Sequence, residues 1–508
     1  MPDLLAIYAA AQPDKPAVVD DRAGEPVVTW SFAELDARAN RLGHFLVERG
    51  VAPGTKVVWC GQNSASLLSV AHAIRKAGAV GVPLNYRLTP DEAAYVIDNS
   101  DAKVVYVDAE YEGLIAQARG RIPKVTDVLA FDGDGELERQ VDKCPAGALD
   151  VDLENAGASM IYTSGTTGKP KGALRAHGLD PAAAAGLIGL IGYVPEDVYL
   201  TTGPLYHSGP GGFAAVAHAL GNTVVVQHKF DAEDWLRLLQ TYQVTTTFTA
   251  PTPIRLVCNL PAEVKARYDR SSMKRLIANA APWTLALKKM YLADFPPDSL
   301  WEVYGSTELG VDTVLGPEDH LRKPGSCGQP APGVEIKLFD PDGHEVTEAG
   351  KTGELYVRSA SMFDAYYKDA GKFEASARGD FHTVGDIAYR DEDGYYYIAD
   401  RKNDMIISGG MNIYPAEIEA ALDGSPDVYE VAVFGVPSEE WGESVHAVVV
   451  PSRPGVTAED VTAFAREHLA GYKVPRSVSF ADELPKTGSG KVLKRQLRVP
   501  FWPAVKGA

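Results

Sequence analysis

Tyr162-Thr163-Ser164-Gly165-Thr166-Thr167-Gly168-Lys169-Pro170-Lys171-Gly172 continues an apolar run, Ala158-Ser159-Met160-Ile161-Tyr162, that reads as a strand. Three glycines, four aliphatic hydroxyls and two lysines fall in this stretch. Glycines let backbone N–H groups converge on an anion, hydroxyls donate, and lysines add charge. The composition suits a polyphosphate held at a strand end. The spacing is not GxxxxGK[ST], so this is no Walker A loop. On composition alone, a solvated Gly/Thr loop is the rival reading.

The flanking sequence has the texture of an α/β sheet. Upstream, Ser31-Phe32-Ala33-Glu34 forms a capping box, followed by Leu35, Ala39, Leu42 and Leu46 at helical spacing and closed by Gly50. Strands are predicted over 56–60, 79–83 and 103–107, with a helix over 67–77. Downstream, strands are predicted over 223–227 and 244–249. This alternation argues for a largely parallel sheet. From about 325 to 400, Gly and Pro punctuate short strands over 334–339, 353–358 and 395–399, the pattern of a β-rich subdomain. Beyond 401, helices over 416–422 and 457–469 and strands over 429–434 and 445–450 predict a small α+β domain. The expected fold class is therefore α/β, with a large N-terminal domain over 1–400 and a small C-terminal domain over 401–508.

The 508 residues are 45% apolar and 23% charged, which excludes global disorder. Lys plus Arg number 49 against 68 Asp plus Glu, a net charge of −19. Such an acidic chain is a poor partner for nucleic acid or anionic membranes. Cys60, Cys144, Cys258 and Cys327 form no CxxC pair, so neither zinc nor a redox dithiol is suggested. Asp3 precedes the apolar run at 4–9 and no Lys or Arg appears before Lys15, so a surface helix is expected rather than a signal peptide. No stretch reaches the ~18 apolar residues that span a bilayer. The expectation is a soluble, cytoplasmic protein without an integral membrane segment.

Three further segments carry chemistry. Gly488-Ser489-Gly490-Lys491 is followed by Val492 where a P-loop needs Ser or Thr. It reads as a solvated turn, or as a mobile loop that delivers its lysine into a site. Tyr304-Gly305-Ser306-Thr307-Glu308 offers an aromatic ring, a hydroxyl and a carboxylate, and a carboxylate beside a phosphate loop is a reasonable magnesium ligand. A capped strand end is the plainer reading. Asp386, in Thr383-Val384-Gly385-Asp386, could accept two ribose hydroxyls or serve only as a turn residue.

In this order the segments resemble the adenylate-forming superfamily of acyl-CoA synthetases, adenylation domains and firefly luciferases, from about residue 15 to 498. The resemblance implies a mobile C-terminal domain and an active site between the domains. Thr163, Ser164, Gly165, Thr166, Thr167, Gly168, Lys169 and Lys171 would orient ATP pyrophosphate. Asn279, Ala280 and Ala281 would pass along adenine and Tyr304 would stack on it. Gly305, Ser306 and Thr307 would approach the α-phosphate. Thr163 and Glu308 would hold Mg²⁺, and Asp386 and Arg401 would bind ribose and its neighbourhood. Lys491 would bridge carboxylate and α-phosphate.

The thiol acceptor implied is free CoA rather than a carrier protein. Gly409 and Gly410, in Ser408-Gly409-Gly410-Met411, would line the pantetheine tunnel. Trp441, Tyr472 and Lys473, with Arg87 from the large domain, would clamp the CoA nucleotide. Many relatives pivot at an Asp or Lys where this chain has Asn403. In Pro204-Leu205-Tyr206-His207-Ser208-Gly209-Pro210-Gly211-Gly212-Phe213, His207 would guide the carboxylate. Gly209, Gly211 and Gly212 would leave room for a long or bulky apolar acid, with Asn279 at the acyl entrance. The segment has no acidic or basic side chain to meet an amino acid. The expectation is an ATP- and Mg²⁺-dependent acid–CoA ligase for a fatty or other bulky apolar acid. An aryl-acid CoA ligase, a luciferase-like oxidative enzyme and a non-catalytic nucleotide-binding protein are the rivals. A homodimer is left open.

Overall fold

The structure is a computed structural model that describes residues 3–151, 158–163, 170–176, 180–402, 404–409, 411–487 and 491–502. Two large sheets form the N-terminal domain. One has seven strands, and its parallel part runs through Ser159–Thr163, Val80–Leu84, Lys56–Cys60, Val104–Asp108 and Asp127–Phe131. Lys171–Arg175 returns antiparallel beside Ser159–Thr163 and adds Ala365–Tyr366 at the edge. The other sheet has nine strands, with Leu300–Ser306, Arg275–Ala278, Thr246–Thr249, Val198–Thr201, Thr223–Val226 and Pro16–Asp20 parallel at its centre. Antiparallel pairs close both edges.

Helices Phe32–Glu48 and Ala65–Lys76 join the two sheets through one shared core. Phe32, Leu35, Ala39 and Leu46 of the first and Leu67, Val70, Ala73 and Ile74 of the second are buried there. The Ser31 capping box forms as its residues predict, with Glu34 N–H donating to Ser31 and Ser31 N–H to Glu34. Leu4–Ala11 is a helix capped by Asp3, with only Leu5 fully buried. The short strands of the β-rich region form a six-stranded antiparallel sheet, in which Asp386–Arg390 pairs with Tyr396–Arg401. Arg401 therefore ends a strand of this sheet, and the chain crosses to the small domain just after it.

The small domain is a five-stranded sheet around the long hairpin Val428–Ser438 and Gly442–Pro451. Helices Pro415–Leu422 and Ala458–His468 cover it through Ile418, Leu422, Val461 and Ala465. Among the described residues, no helix is long and apolar enough to cross a membrane.

Candidate active site

Strand Ser159–Thr163 delivers Thr163 to the edge of the cleft, and Lys171 sits opposite it where the chain returns. Ser164, Gly165, Thr166, Thr167, Gly168 and Lys169, between them, lie outside the described residues, as do Asn403, Gly410 and Gly488–Gly490. The Thr163 hydroxyl donates to Glu308 Oε1 at 3.1 Å. Tyr366 donates its phenol to the same oxygen at 3.0 Å. Lys171 is paired with Asp369.

Glu308 stands in the reversal between Leu300–Ser306 and Gly310–Leu315. A Cβ on Gly305 would lie 1.9 Å from the Gly310 carbonyl oxygen, so the reversal admits only glycine there. Thr307 Oγ1 lies 2.9 Å from Ser208 Oγ, and the Thr307 carbonyl accepts from Arg175 Nη2 at 3.1 Å. Arg175 Nη1 also donates to the Ser361 carbonyl at 2.5 Å. Arg175 and Tyr366 were not legible in the sequence. Their partners lie 58 to 186 residues away along the chain, and neither sits in a recognisable motif.

Asp386 is buried and held from two sides. The Tyr304 phenol donates to Oδ2 at 2.5 Å, and Arg401 Nε lies 3.3 Å from Oδ1. Burial first, and then the Asp386 carboxylate, push the Tyr304 hydroxyl well above its usual pKa, so it remains a donor. Asn279 spends its side chain on its own loop. Its Nδ2 donates to Val303 O at 2.5 Å and its Oδ1 accepts from Ala280 N–H, where φ is +72°. The expected polar group at the acyl entrance is thus tied to backbone.

Lys491 enters this cluster from the small domain. Its backbone is clamped by Thr487, with Thr487 N–H donating to Lys491 O at 2.7 Å and Lys491 N–H to Thr487 Oγ1 at 3.1 Å. The side chain opens on the cleft, but protein atoms crowd around it. Desolvation and then the Arg401 guanidinium lower its pKa, while Asp386 and Glu308 pull it back up. Two carboxylates and two cations from both domains thus converge.

Thr163, Thr307, Asn279, Ala280, Arg401 and Lys491 line one cavity of about 2250 Å³, which continues past His207, Gly211 and Gly212. A Cβ on Gly212 would meet nothing within 4 Å. Gly209 and Gly211 are different: a Cβ there would lie 2.3 Å from the Phe248 ring and 2.4 Å from the Leu205 carbonyl. Only Gly212 of the three leaves room beside the cavity; the other two permit close packing.

Of the residues expected at CoA, Arg87 lines this cavity. Gly409, Trp441, Tyr472 and Lys473 do not; they lie on the small domain. Gly409 N–H donates to Trp441 O at 2.8 Å, and a Cβ on Gly409 would strike the indole at 2.7 Å. The Arg476 guanidinium covers that indole at 5.0 Å. Lys473 is neutralised by Glu417 at 2.6 Å.

Residues 5–367 match the family model of the AMP-binding enzymes, and residues 417–491 match the model of their C-terminal domain. The chain belongs to the AMP-binding enzyme family. It is 36% identical to a feruloyl-CoA synthase of an Amycolatopsis species, over 93% of this chain and 94% of that one. It is 33% identical to a long-chain-fatty-acid–CoA ligase of Mycobacterium tuberculosis, over 93% of each. The ATP-bound MatB structure from Rhodopseudomonas palustris superposes with a TM-score of 0.86 at 31% identity, covering 98% of both chains. The chain is thus an AMP-forming acid–CoA ligase, with the large and small domains of adenylate-forming enzymes.

Proposed function

We propose that this ligase activates a long or bulky apolar carboxylic acid, with Lys491 as the residue that unites acid and ATP. The observation that carries this reading is that Lys491, from the small domain, lines the same deep cavity as Thr163, Thr307 and Arg401. A carboxylate is a weak nucleophile, and the α-phosphate it must attack is also anionic. Lys491 offsets that repulsion and the charge that develops as the P–O bond to pyrophosphate breaks. Asp386 accepts from ribose hydroxyls, Tyr304 flanks adenine, and His207 with Ser208 and Thr307 orients the two reacting groups. A CoA thiol then attacks the acyl carbon and AMP leaves.

The Thr163 hydroxyl donates to Glu308 Oε1, so one carboxylate and one hydroxyl oxygen stand 3.1 Å apart. That donor set fits Mg²⁺, which takes few protein ligands and completes its shell with phosphate oxygens and water. Bound there, the ion would neutralise charge on the polyphosphate.

The domain division proposed falls just after Arg401, one residue beyond the expected 400/401 boundary because Arg401 still pairs with Asp386 in the β-rich sheet, and the pivot lies there. Rotation about it brings Gly409, Trp441, Tyr472 and Lys473 to the CoA nucleotide, and Arg87 meets it from the large domain. The test is mass spectrometry of products from ATP, Mg²⁺, CoA and a panel of short, long, aromatic and polycyclic acids. Acyl-CoA with stoichiometric AMP, dependent on Mg²⁺ and best with long or polycyclic acids, is expected. Acyl-AMP that accumulates despite CoA overturns the acceptor assignment.

A further inference from the structure

The cavity is larger than the roughly 300–1,000 Å³ of an ordinary small-molecule site, and its far end is not apolar. Helix Ser208–Ala219 forms one wall for its whole length. At 1.5 Å per residue, the run from His207 to His218 rises about 16 Å. Leu187, Ile188, Tyr193, Phe213 and Val216 line the stretch between. Beyond them, the same cavity reaches Leu5, His72, Arg75 and His218.

The two histidines fix each other's protons. His218 Nε2 faces the Ala17 carbonyl at 3.1 Å. A carbonyl only accepts, so His218 Nε2 carries the hydrogen. Its Nδ1 lies 2.9 Å from His72 Nε2. In a neutral His218 that Nδ1 is bare, so His72 Nε2 is the donor and His72 Nδ1 keeps a lone pair. Both rings stay neutral. Burial holds His218 down at about 4, and burial with His218, Arg75 and Lys76 holds His72 well below its usual value. Among the described residues, no donor serves His72 Nδ1.

We propose that His72, held by His218, is a specificity-determining residue that accepts a hydrogen bond from a hydroxyl or N–H at the far end of the acid. This rests on the reading of the cavity as the acyl site. An extended chain advances ~3.3–3.6 Å per three bonds, so ~16 Å corresponds to about 14 bonds. The acid class is therefore a long apolar acid with a terminal hydroxyl, or a polycyclic acid of similar length with a distal hydroxyl. A ketone or second carboxylate presents an acceptor to the His72 acceptor, and the donor beside it, Arg75, is already paired with Asp3 at 3.4 Å, so such acids are disfavoured.

The experiment compares matched acids on the full-length enzyme, reading AMP and acyl-CoA. The pairs are 12-hydroxydodecanoate with dodecanoate, and a 3-hydroxycholanate with cholanate. Each is run on wild type, His72→Phe and His72→Asn, whose Oδ1 stands near the place of Nδ1. Expected is a preference of about tenfold in kcat/KM for the hydroxylated member of at least one pair. That preference disappears in His72→Phe and partly returns in His72→Asn. A thermal-unfolding midpoint close to that of wild type shows that His72→Phe is folded. Preference for the unsubstituted acids, or a hydroxyl preference that survives His72→Phe, overturns this inference alone. Absence of acyl-AMP and acyl-CoA from every acid overturns both it and the reading of the cavity.

Discussion

Asp423, at the end of helix Pro415–Leu422 in the small domain, accepts from Arg255 Nη2 of the large domain at 2.9 Å. Its second oxygen accepts from Thr284 at 2.5 Å, and the Asp423 side chain is only 7% exposed. This is an ion pair between the two domains, made in the arrangement that brings Lys491 to Glu308 and Asp386.

Rotation of the small domain must break that pair. Asp423→Ala strands Arg255 and removes the latch, worth about 1–3 kcal/mol for a partly buried charged hydrogen bond. Adenylation, measured by ATP–pyrophosphate exchange, should fall roughly tenfold. Thioester formation from supplied acyl-AMP should hold or rise. An equal fall in both half-reactions would show that the pair supports folding rather than the balance of domain positions.

Lys491→Ala removes a group that meets charge only where acid and α-phosphate react. Loss of one such donor typically costs ~10²–10³ in rate. Adenylation should fall by that factor, while CoA transfer from supplied acyl-AMP survives. Were both half-reactions lost alike, Lys491 would be structural.

The lowered pKa of Lys491 gives a pH signature. The protonated form is the useful one, so adenylation should decline on the alkaline side, at a pH below the 10.5 of an ordinary lysine. Lys491→Arg holds its charge to higher pH, so its alkaline limb should move upward even if its maximum rate is lower. A profile unchanged by Lys491→Arg would assign the limb to another group.

Gly212 and Gly209 should respond in opposite ways. Gly212→Trp projects into open space, so thermal stability should change little while the longest accepted acid shortens. Gly209→Ala drives a methyl into the Phe248 ring and should cost about 1–3 kcal/mol, read as a lower denaturant midpoint. An unchanged acid profile for Gly212→Trp would remove that residue from the acyl wall.

Much of the scaffold was legible because its signals are local. The capping box at Ser31 and the periodicity after it set helix Phe32–Glu48, and five buried or half-buried residues in a row set strand Lys56–Cys60. The edge hairpin of Pro16–Asp20 and Val28–Ser31 was missed. Its second strand is half-exposed and takes its pairing from distant Thr223–Val226 through its neighbour. Strand Asp127–Phe131 was missed for a similar reason: it is a sheet edge, with one fully buried residue.

The sequence alone determined the α/β class, the β-rich insert, the small terminal domain and the residue types of a phosphate-handling cleft. These follow from spacing, turn chemistry and motif order, which a short window of chain contains. Tertiary structure decided which groups meet. It joined Thr163 to Glu308, tied Asn279 to its own backbone, gave Lys473 to Glu417, and set His72 against His218 at the end of the cavity. Each of these contacts lasts only because sheets and helices from remote segments pack around it. Hydrogen bonds and charges act over a few ångströms, and which atoms come that close is fixed by the packed core rather than by any one stretch of sequence.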